Sequence, residues 1–324
     1  MNILFCSAGR RCELLKDFRK SMGASGKIVA ADLSITAPAI YMADTYYLVP
    51  RIDHPDYFPR ILEICQKEKI QAVTTLIDPE IMLLAERREE FERLGVEVLA
   101  PYTETARLCF DKFEMYRFQQ SKDIRTPLTF GDLKSFNAGL SCGEIAFPVF
   151  IKPRTGSGSV GARLIRTEEA LQQAFTTDPG LIVQEYMGDA VDLDADVYID
   201  TISGRPVSLF SKRKLETKIG GASKTISFKD SRLVDFVISV LESFHFNGPI
   251  DMDLWYRNGE YFLSEINPRF GGAYLHAYGA GVDFVKLIEN NICGIENKPC
   301  FDNYEENIVM MMYDSVVIEK IESF

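Results

Sequence analysis

The stretch Asp251–Arg269 reads DMDLWYRNGEYFLSEINPR and decides how the second half of this chain is interpreted. Two apolar runs, Ile250–Tyr256 and Tyr261–Ile266, have the aromatic and β-branched composition of strands. Between them lies Asn258-Gly259, a dipeptide that is typical of a tight hairpin turn. We therefore predict an antiparallel hairpin here, within an α+β structure that forms the later part of the chain.

Three polar side chains of this hairpin, Asp253, Glu265 and Asn267, are candidates for binding a metal ion. Glu265 and Asn267 are two residues apart, so a strand places them on one face. Acids among packed apolar residues are costly unless they are paired or bind a cation, and Mg²⁺ prefers carboxylate oxygens together with nucleotide phosphates. Arg269 would supply a fork for a phosphoryl oxygen or a substrate carboxylate. The alternative is an ordinary hairpin with exposed acids.

The register of the hairpin constrains this metal site. A two-residue turn with regular pairing would place Asp253 opposite Ser264, so that Glu265 would face away from Asp253. A shared metal site therefore requires a loop of odd length or a β-bulge. We predict a three-residue loop with Gly259 at a positive φ.

A glycine-rich segment, TGSGSVG at Thr155–Gly161, follows the apolar run Phe147–Lys152. Its glycines match GxGxxG, but the dinucleotide fingerprint requires a helix after the loop, whereas Arg163–Arg166 has the pattern of a strand. We predict a hairpin flap whose backbone amides cover a triphosphate, with Lys152 reaching the phosphates; a flexible hairpin tip is the alternative. The residues predicted to bind nucleotide in this segment are Gly156, Ser157, Gly158, Ser159 and Gly161.

The first hundred residues alternate between strand-like and helix-like stretches. This alternation predicts a parallel sheet with helices on both faces, in a domain that spans about residues 1–105. The predicted strands are Asn2–Cys6, Lys27–Ala31, Ala72–Leu76 and Val96–Leu99, and the predicted helices are Arg11–Met22, Tyr57–Glu68 and Glu80–Leu94.

Composition excludes several classes of function. The formal net charge of -11 argues against a nucleic-acid partner, and no apolar run approaches the ~20 residues that cross a bilayer. The basic residues near the start follow the apolar stretch instead of preceding it, so we expect a cytoplasmic protein without a signal peptide. Seven scattered cysteines and three histidines without ligand spacing argue against disulfides, zinc and Ser-His-Asp catalysis.

Several motifs in a fixed order resemble the ATP-grasp superfamily over roughly residues 106–300. They are FDKF with Lys112, VFIKP with Lys152, TGSGSVG, VQEYM and DMDLWYRNGEYFLSEINPR. The preceding segments ILFCSAGRR and AADLS, with Asp32, resemble the small Rossmann-like (pre-ATP-grasp) domain of carbamoyl-phosphate-synthase-like ligases. The resemblance implies a domain at 1–105, a small ATP-grasp lobe at 106–180 and a large lobe with the metal site at 181–324.

The resemblance also implies roles for individual residues. Lys112 and Lys152 would contact the phosphates of ATP, and Asp192 would hold the ribose, although that position is often Glu in the family. Mg²⁺, with Mn²⁺ as the alternative, would bind Asp253 and Glu265, and Asp253 departs from the commoner Glu. Asn267 would assist the metal, and the adenine hinge would be Glu185, Tyr186 and Met187.

A basic stretch, Lys212–Lys224, surrounds Gly220-Gly221 and is predicted to be a loop that closes on phosphate and substrate, with Lys212 binding nucleotide. A solvated basic loop without a ligand is the alternative. Further substrate specificity is expected from Ser7–Arg11, Asp78–Glu80 and Gly271–His276.

The implied activity is an ATP- and Mg-dependent ligation of a small carboxylate to an amine, of the amino-acid or peptide ligase type. Lys152, Asn267 and Arg269 would be the catalytic residues, and a homodimer is possible. Two alternatives remain open: a non-catalytic nucleotide-binding protein, and an NAD-dependent oxidoreductase. The second would use Asp32, about 20 residues after Gly9, but SAGRR contains only one glycine where the fingerprint has three.

Overall fold

The structure is a computed structural model that describes residues 1–156, 158, 160–218 and 221–321. Ser157, Ser159 and Gly220, which the sequence places in the two candidate loops, lie outside the described residues. Among the helices of the described part, none has both the length and the apolar character to cross a bilayer.

The first sheet is parallel, as the alternating pattern predicts, with the order β3-β2-β1-β4-β5. Side chains of β1 alternate between two cores: Ile3 and Phe5 pack on one side of the sheet, Leu4 and Cys6 on the other. The strands are β1 (Asn2–Cys6), β2 (Lys27–Asp32), β3 (Thr45–Leu48), β4 (Ala72–Thr75) and β5 (Glu97–Val98). The helices are α1 (Cys12–Met22), α2 (Tyr57–Glu68), α3 (Asp78–Glu86) and α4 (Arg88–Glu92), with a short 3₁₀ helix at Pro38–Met42.

The single helix predicted at Glu80–Leu94 is wrong in one respect, because the chain breaks it into α3 and α4 at Arg87. The adjacent Arg88 turns inward and donates hydrogen bonds to the carbonyl oxygens of Val98, Ala100 and Pro101. Val98 ends β5 and the other two residues follow it, so the buried guanidinium supplies donors to backbone carbonyls at the point where the strand ends.

The second sheet is antiparallel with the order β6-β9-β7-β8. The strands β7 and β8 flank the glycine-rich segment and pair with each other, so the predicted hairpin is confirmed. The strands are β6 (Thr129–Phe130), β7 (Val149–Pro153), β8 (Arg163–Ile165) and β9 (Leu181–Glu185). The helices of this region are α5 (Thr103–Phe110), α6 (Lys112–Ser121), α7 (Leu133–Cys142) and α8 (Glu168–Thr177).

The third sheet is also antiparallel, with the order β14-β13-β10-β11-β12-β15. Its strands are β10 (Val191–Ile199), β11 (Pro206–Lys218), β12 (Gly221–Ser227), β13 (Gly248–Arg257), β14 (Glu260–Asn267) and β15 (Val309–Met311). The accompanying helices are α9 (Ser231–Leu241), α10 (Tyr274–Gly279) and α11 (Phe284–Ile292). The combination of one parallel and two antiparallel sheets confirms the predicted fold class.

The hairpin of β13 and β14 shows that the predicted three-residue loop is wrong. Arg257 pairs with Glu260, so the turn contains only Asn258 and Gly259, with φ values of 53° and 85°. The positive φ at Gly259 is as predicted. The necessary shift occurs instead as a β-bulge between Asp253 and Leu254 in the pairing, and it places Asp253 opposite Glu265.

The basic stretch Lys212–Lys224 also differs from its prediction, since it is mostly paired strand and not an open loop. Residues of β11 pair with β12 on one side and, through Arg213 and Lys212, with β10 on the other. The alternation of a strand then sends Lys212 and Lys214 to one face and Arg213 to the other, which a loop would not do.

Candidate active site

One face of the third sheet carries a set of polar side chains in two adjacent rows. In the first row Lys212, Asp194, Asp253 and Glu265 lie opposite one another across four strands. In the second row Asp196, Asp251 and Asn267 do the same across three strands. The other face of β10 carries Leu193, Ala195 and Val197, which pack into the core with α9, and this burial fixes the orientation of the acids.

The three residues predicted to bind a metal ion lie together in these rows. Asn267 Nδ2 donates to Asp253 Oδ2 at 3.2 Å and to Asp251 Oδ2 at 3.3 Å. Glu265 Oε1 lies 3.6 Å from Lys112 Nζ. The donor atoms are carboxylate and amide oxygens that face a cavity, which is the chemistry that Mg²⁺ requires of a protein.

A cavity of about 950 Å³ lies over this face, between the second and third sheets. Its size matches the ~300–1,000 Å³ that is usual for small-molecule sites. Predicted site residues form much of its lining: Lys112, Lys152, Gly156, Gly158, Glu185, Tyr186, Met187, Asp192, Asp253, Glu265, Asn267 and Arg269. Gly161 is next to this lining, at positive φ, and a Cβ added there would lie 3.2 Å from the ring of Pro153.

The two lysines predicted to bind phosphate reach the cavity from different elements. Lys112 begins α6 directly after Asp111, whose carboxylate accepts from the backbone amides of Phe113 and Glu114 and caps the helix. The Lys112 ammonium donates to the carbonyl of Gly156, so it already touches the glycine-rich segment. Lys152 extends from β7, and burial lowers the pKa of its amine although Glu265 opposes that shift.

The residues predicted to form an adenine hinge follow directly from the end of β9. Glu185 accepts from the backbone amide of Leu128 at 3.3 Å and forms an ion pair with Arg257. Its carboxylate is therefore used within the protein, while Tyr186 and Met187 continue along the edge of the cavity. The backbone groups of this segment and the exposed side chain of Tyr186 remain for a ligand base.

Asp192 lies one row further along the same face as Asp194, near the hinge. It shares Lys214 with Asp253: Lys214 Nζ is 3.1 Å from Asp192 Oδ1 and also contacts Asp253 Oδ1. Burial alone would lower the pKa of Lys214, but Asp253, Asp194 and Asp192 outweigh it and hold the pKa above its usual value. This lysine is the cation of the basic stretch that faces the cavity.

Lys212 is predicted to bind nucleotide, but its ammonium does not face the cavity. The side chain is fully buried, and its ammonium is 2.8 Å from Asp194 Oδ1 and in contact with Asp196 Oδ2. It does not contribute to the cavity lining, which Lys214 does. The two lysines are two residues apart on one face of β11, so the sequence indicates which face they share. It does not indicate that Asp194 and Asp196 neutralise Lys212 and leave Lys214 to line the cavity.

Arg269 connects the hairpin with the first sheet. Its guanidinium binds the carboxylate of Asp78 in two places, with Nε to Oδ1 at 2.6 Å and Nη2 to Oδ2 at 3.3 Å. Asp78 begins α3, beyond the carboxyl end of β4. Of the predicted specificity segment Asp78–Glu80, Asp78 lines the cavity. Glu80 does not, because its carboxylate is buried and accepts hydrogen bonds from Ser7, Tyr57 and Thr75.

Asp251 and Asp196 were not among the predicted site residues, although a signal existed. Asp251 stands two residues before Asp253, and Asp196 two after Asp194, so strand periodicity places each pair on one face. Burial, together with Asp194 and Asp253, raises the pKa of Asp251 well above its usual range. Arg11 also lines this end of the cavity.

Comparisons with known proteins agree with this architecture. A family model described as "PylC-like, N-terminal domain" matches residues 3–99, and the model "ATP-grasp domain" matches residues 109–273. A pyruvate carboxylase of Staphylococcus aureus is 24% identical over 296 residues, which cover 79% of this chain but 25% of that protein. The chain thus spans about a quarter of the length of this relative.

Solved structures share the fold at low sequence identity. The biotin carboxylase domain of Hydrogenobacter thermophilus 2-oxoglutarate carboxylase, solved with MgADP, ADP and bicarbonate, has a TM-score of 0.74 at 19% identity. It covers 95% of this chain and 73% of that one. N5-carboxyaminoimidazole synthetase from Staphylococcus aureus, solved with ADP, has a TM-score of 0.72 at 17% identity, with coverages of 92% and 78%. "Carbamoyl-phosphate-synthase-like" is only a loose description of such neighbours.

The ATP-grasp model covers half of the chain, including the glycine-rich segment, both predicted phosphate-binding lysines and the acidic hairpin. The chain therefore belongs to the ATP-grasp family.

Proposed function

We propose that this protein is an ATP-dependent ligase that activates a carboxylate as an acylphosphate for attack by an amine. One observation carries the proposal most: the bulged hairpin sets Asp253 opposite Glu265 in a cavity that Lys112 and Lys152 also enter. Two carboxylates and two lysines around one space suit a triphosphate with its metal ion.

The residues on each side of the cavity would then bind a different part of the metal–ATP complex. Asp253 and Glu265, with Asn267, would hold Mg²⁺ or Mn²⁺, which when bound neutralises negative charge on the phosphates. Lys112 and Lys152 would bind phosphate oxygens from the opposite side. The hinge Glu185, Tyr186 and Met187 would hold the adenine and Asp192 the ribose, and Lys214 would then exchange its contact with Asp253 for one with phosphate.

The reaction would proceed in two transfers. A substrate carboxylate attacks the γ-phosphorus, the bond to ADP breaks, and an acylphosphate forms. An amine then attacks the acyl carbon, and the bond between that carbon and the phosphate oxygen breaks as phosphate leaves. The surplus amine proton goes to phosphate or solvent. Gly156 and Gly158, with Ser157 and Ser159, would cover the cavity and exclude water from the acylphosphate. Arg269, oriented by Asp78, would position the transferring group.

The proposal also covers the domain organisation, the cellular location, the substrates and the oligomeric state. The family matches end and begin near residue 105, which supports a first domain at 1–105 followed by lobes at 106–180 and 181–324. Seven free cysteines support a reducing, cytoplasmic location. Substrates would be a small carboxylate and a small amine, and a homodimer is included in the proposal.

The test is ADP release from Mg-ATP with a panel of amino acids and small carboxylates, each with and without amine acceptors. Turnover should require one carboxylate–amine pair. Glu265→Gln should reduce it at least ~100-fold, because the variant lacks one of the two carboxylates proposed to hold the metal ion beside the phosphates. Glu260→Gln, an exposed acid at the turn of the same hairpin, is the matched control and should retain activity. Nucleotide binding without turnover on any pair would favour a non-catalytic nucleotide-binding protein instead.

A further inference from the structure

Arg154 lies in the sequence between two predicted phosphate contacts, yet its side chain is turned away from the cavity. It follows Lys152 by two residues and precedes Gly156 by two. Lys152, Thr155 and Gly156 belong to the cavity lining, whereas Arg154, alone among the described residues from 152 to 156 apart from the neighbouring Pro153, makes its polar contacts elsewhere. The cation at this position therefore serves the protein and not a ligand directly.

The guanidinium of Arg154 binds the first turn of α6. Its Nε is 2.8 Å from both carboxylate oxygens of Asp111, and its Nη2 is 3.1 Å from Glu114 Oε1. Its Cζ lies 5.6 Å from the centre of the Phe113 ring. A single ion pair at a surface contributes little, but a planar fork held by two carboxylates and a ring has one defined geometry. Arg154 is thus fixed to the residues on both sides of Lys112.

The backbone makes a second connection between the same two segments. The amide of Lys112 donates to the carbonyl oxygen of Arg154 at 3.0 Å, and the amide of Arg154 donates to Gly180 at 2.9 Å. The ammonium of Lys112 contacts the carbonyl of Gly156, two residues further along. Both ends of the lysine are therefore held by residues 154–156, so the position of its ammonium depends on where this short stretch is held.

Holding Lys112 in place matters because a lysine side chain is long and flexible. Its four-carbon stem loses rotamer freedom when the ammonium is ordered, and a ligand that orders it must offset that loss. A lysine that is ordered before the ligand arrives avoids this cost at the moment of binding. The contacts of Arg154 supply such order next to the cavity.

We propose that Arg154 is a positioning residue for nucleotide binding: it fixes residues 154–156 to the start of α6, so that the Lys112 ammonium and the Gly156 backbone meet the phosphates as one preformed unit. Arg154 then raises the affinity for nucleotide without contacting it, and does so through Lys112. This role rests on the ligase function proposed above, because it requires that the cavity bind a nucleotide.

A double-mutant cycle, measured by calorimetric titration of the full chain with Mg-ADP, tests this role. Arg154→Gln should weaken Mg-ADP binding about 10-fold in the otherwise wild-type protein, which is a usual size of coupling between residues in contact. In a Lys112→Gln background the same substitution should have an effect of less than about 2-fold, because no ammonium remains to be positioned. Equal effects in the two backgrounds would show a merely structural role and would overturn the inference.

Two further arginine variants separate position from charge. Arg163→Gln is the matched control, since Arg163 is an exposed arginine at the other end of the glycine-rich segment, and it should leave the affinity for Mg-ADP unchanged. Arg154→Lys keeps the charge but not the planar fork and should still weaken Mg-ADP binding several-fold. Full affinity of Arg154→Lys would show that charge alone acts at this position and would contradict the positioning role.

Glu114→Gln gives the same test if Arg154→Gln does not fold. It weakens only the contact at Nη2 and leaves both contacts with Asp111, so it should weaken Mg-ADP binding about 3-fold, the effect of one hydrogen bond. The weakening should again disappear in the Lys112→Gln background. A wild-type affinity of Glu114→Gln, or a weakening that is independent of Lys112, would count against the positioning role.

The positioning role and the ligase function fail in distinguishable ways. Absence of Mg-ADP binding by the wild-type protein, or Mg-ADP binding that Glu265→Gln does not weaken, would contradict the ligase function itself. Mg-ADP binding that depends on Glu265 and Lys112 but not on Arg154 would contradict only the positioning role.

Discussion

The buried lysine at position 212 shows how a single residue acquires its role from its neighbours. Lys212 and Lys214 have the same chemistry and face the same side of β11, yet one neutralises Asp194 and Asp196 in the interior and the other lines the cavity. Burial lowers the pKa of Lys212, but the adjacent acids outweigh that effect and hold the pKa above its usual value. A charged, structural lysine is the result.

His276 carries a pH-dependent contribution to stability. Burial, then the nearby Lys212, lower its pKa to about 4, and its Nδ1 shares a 2.7 Å hydrogen bond with the hydroxyl of Thr225. The unfolded chain binds this proton more tightly than the native one, so stability should fall as pH decreases from about 6.5 to about 4. The slope approaches about 1.4 kcal/mol per pH unit.

Urea unfolding at a series of pH values measures this slope. His276→Asn removes the titrating group, keeps an acceptor for Thr225, and should flatten the dependence over this interval. The same substitution at the exposed His54 should leave it unchanged. An equal slope in wild-type and His276→Asn proteins would show that another group is responsible.

At the scale of elements, the hairpin of β13 and β14 combines a tight turn with a bulge. The turn determines where pairing starts, and the extra residue, Ser264, restores Glu265 to the face of Asp253. Regular pairing throughout would have separated the two acids. The site therefore depends on an irregularity in the strand and not only on the two residues.

Gly259→Ala should reduce the free energy of unfolding by about 1–2 kcal/mol, because φ at this turn position is 85° and a Cβ is strained there. No atom lies within 4 Å of the added Cβ, so crowding contributes nothing. Metal-dependent ADP binding should persist, since the bulge still aligns Asp253 with Glu265. Gly279→Ala, at an exposed glycine with equal free space but no positive φ, is the control and should cause no loss. Equal effects of the two substitutions in denaturant melts would refute the backbone explanation.

At the scale of the whole molecule, the first sheet does not have a core of its own on both sides. One of its two cores continues into the large sheet and its helices, where Phe18 packs edge-on against Phe270 at 5.5 Å. Phe130, Phe136 and their neighbours form a separate core under the second sheet. The domain limit that we propose near residue 105 would thus mark a change in chain topology more than a boundary in packing.

We expect the first and third sheets to unfold together and the second sheet to open separately. Phe18→Ala should lower the opening free energy of both β1 and β11 by about 3–5 kcal/mol, because Ile3 and Phe5 of β1 and Val207 and Phe210 of β11 belong to the same core as Phe18. Phe136→Ala should affect only amides of the second sheet. Native-state hydrogen exchange read by mass spectrometry distinguishes these patterns, and β1 amides that respond to Phe18→Ala while β11 amides do not would contradict the shared unit.

The sequence by itself determined the fold class, most of the strands and the face that carries Asp253, Glu265 and Asn267, because period-two patterns and motif order are local properties of the chain. Only the tertiary structure decided the bulge, the inward direction of Lys212 and the pairing of Arg269 with Asp78. Asp78 and Arg269 are separated by more than half of the chain, and the two lysines are distinguished only by which acids a neighbouring strand brings to them. Local patterns carry no information on such neighbours, since pairing across strands and packing between domains arise when the whole chain folds.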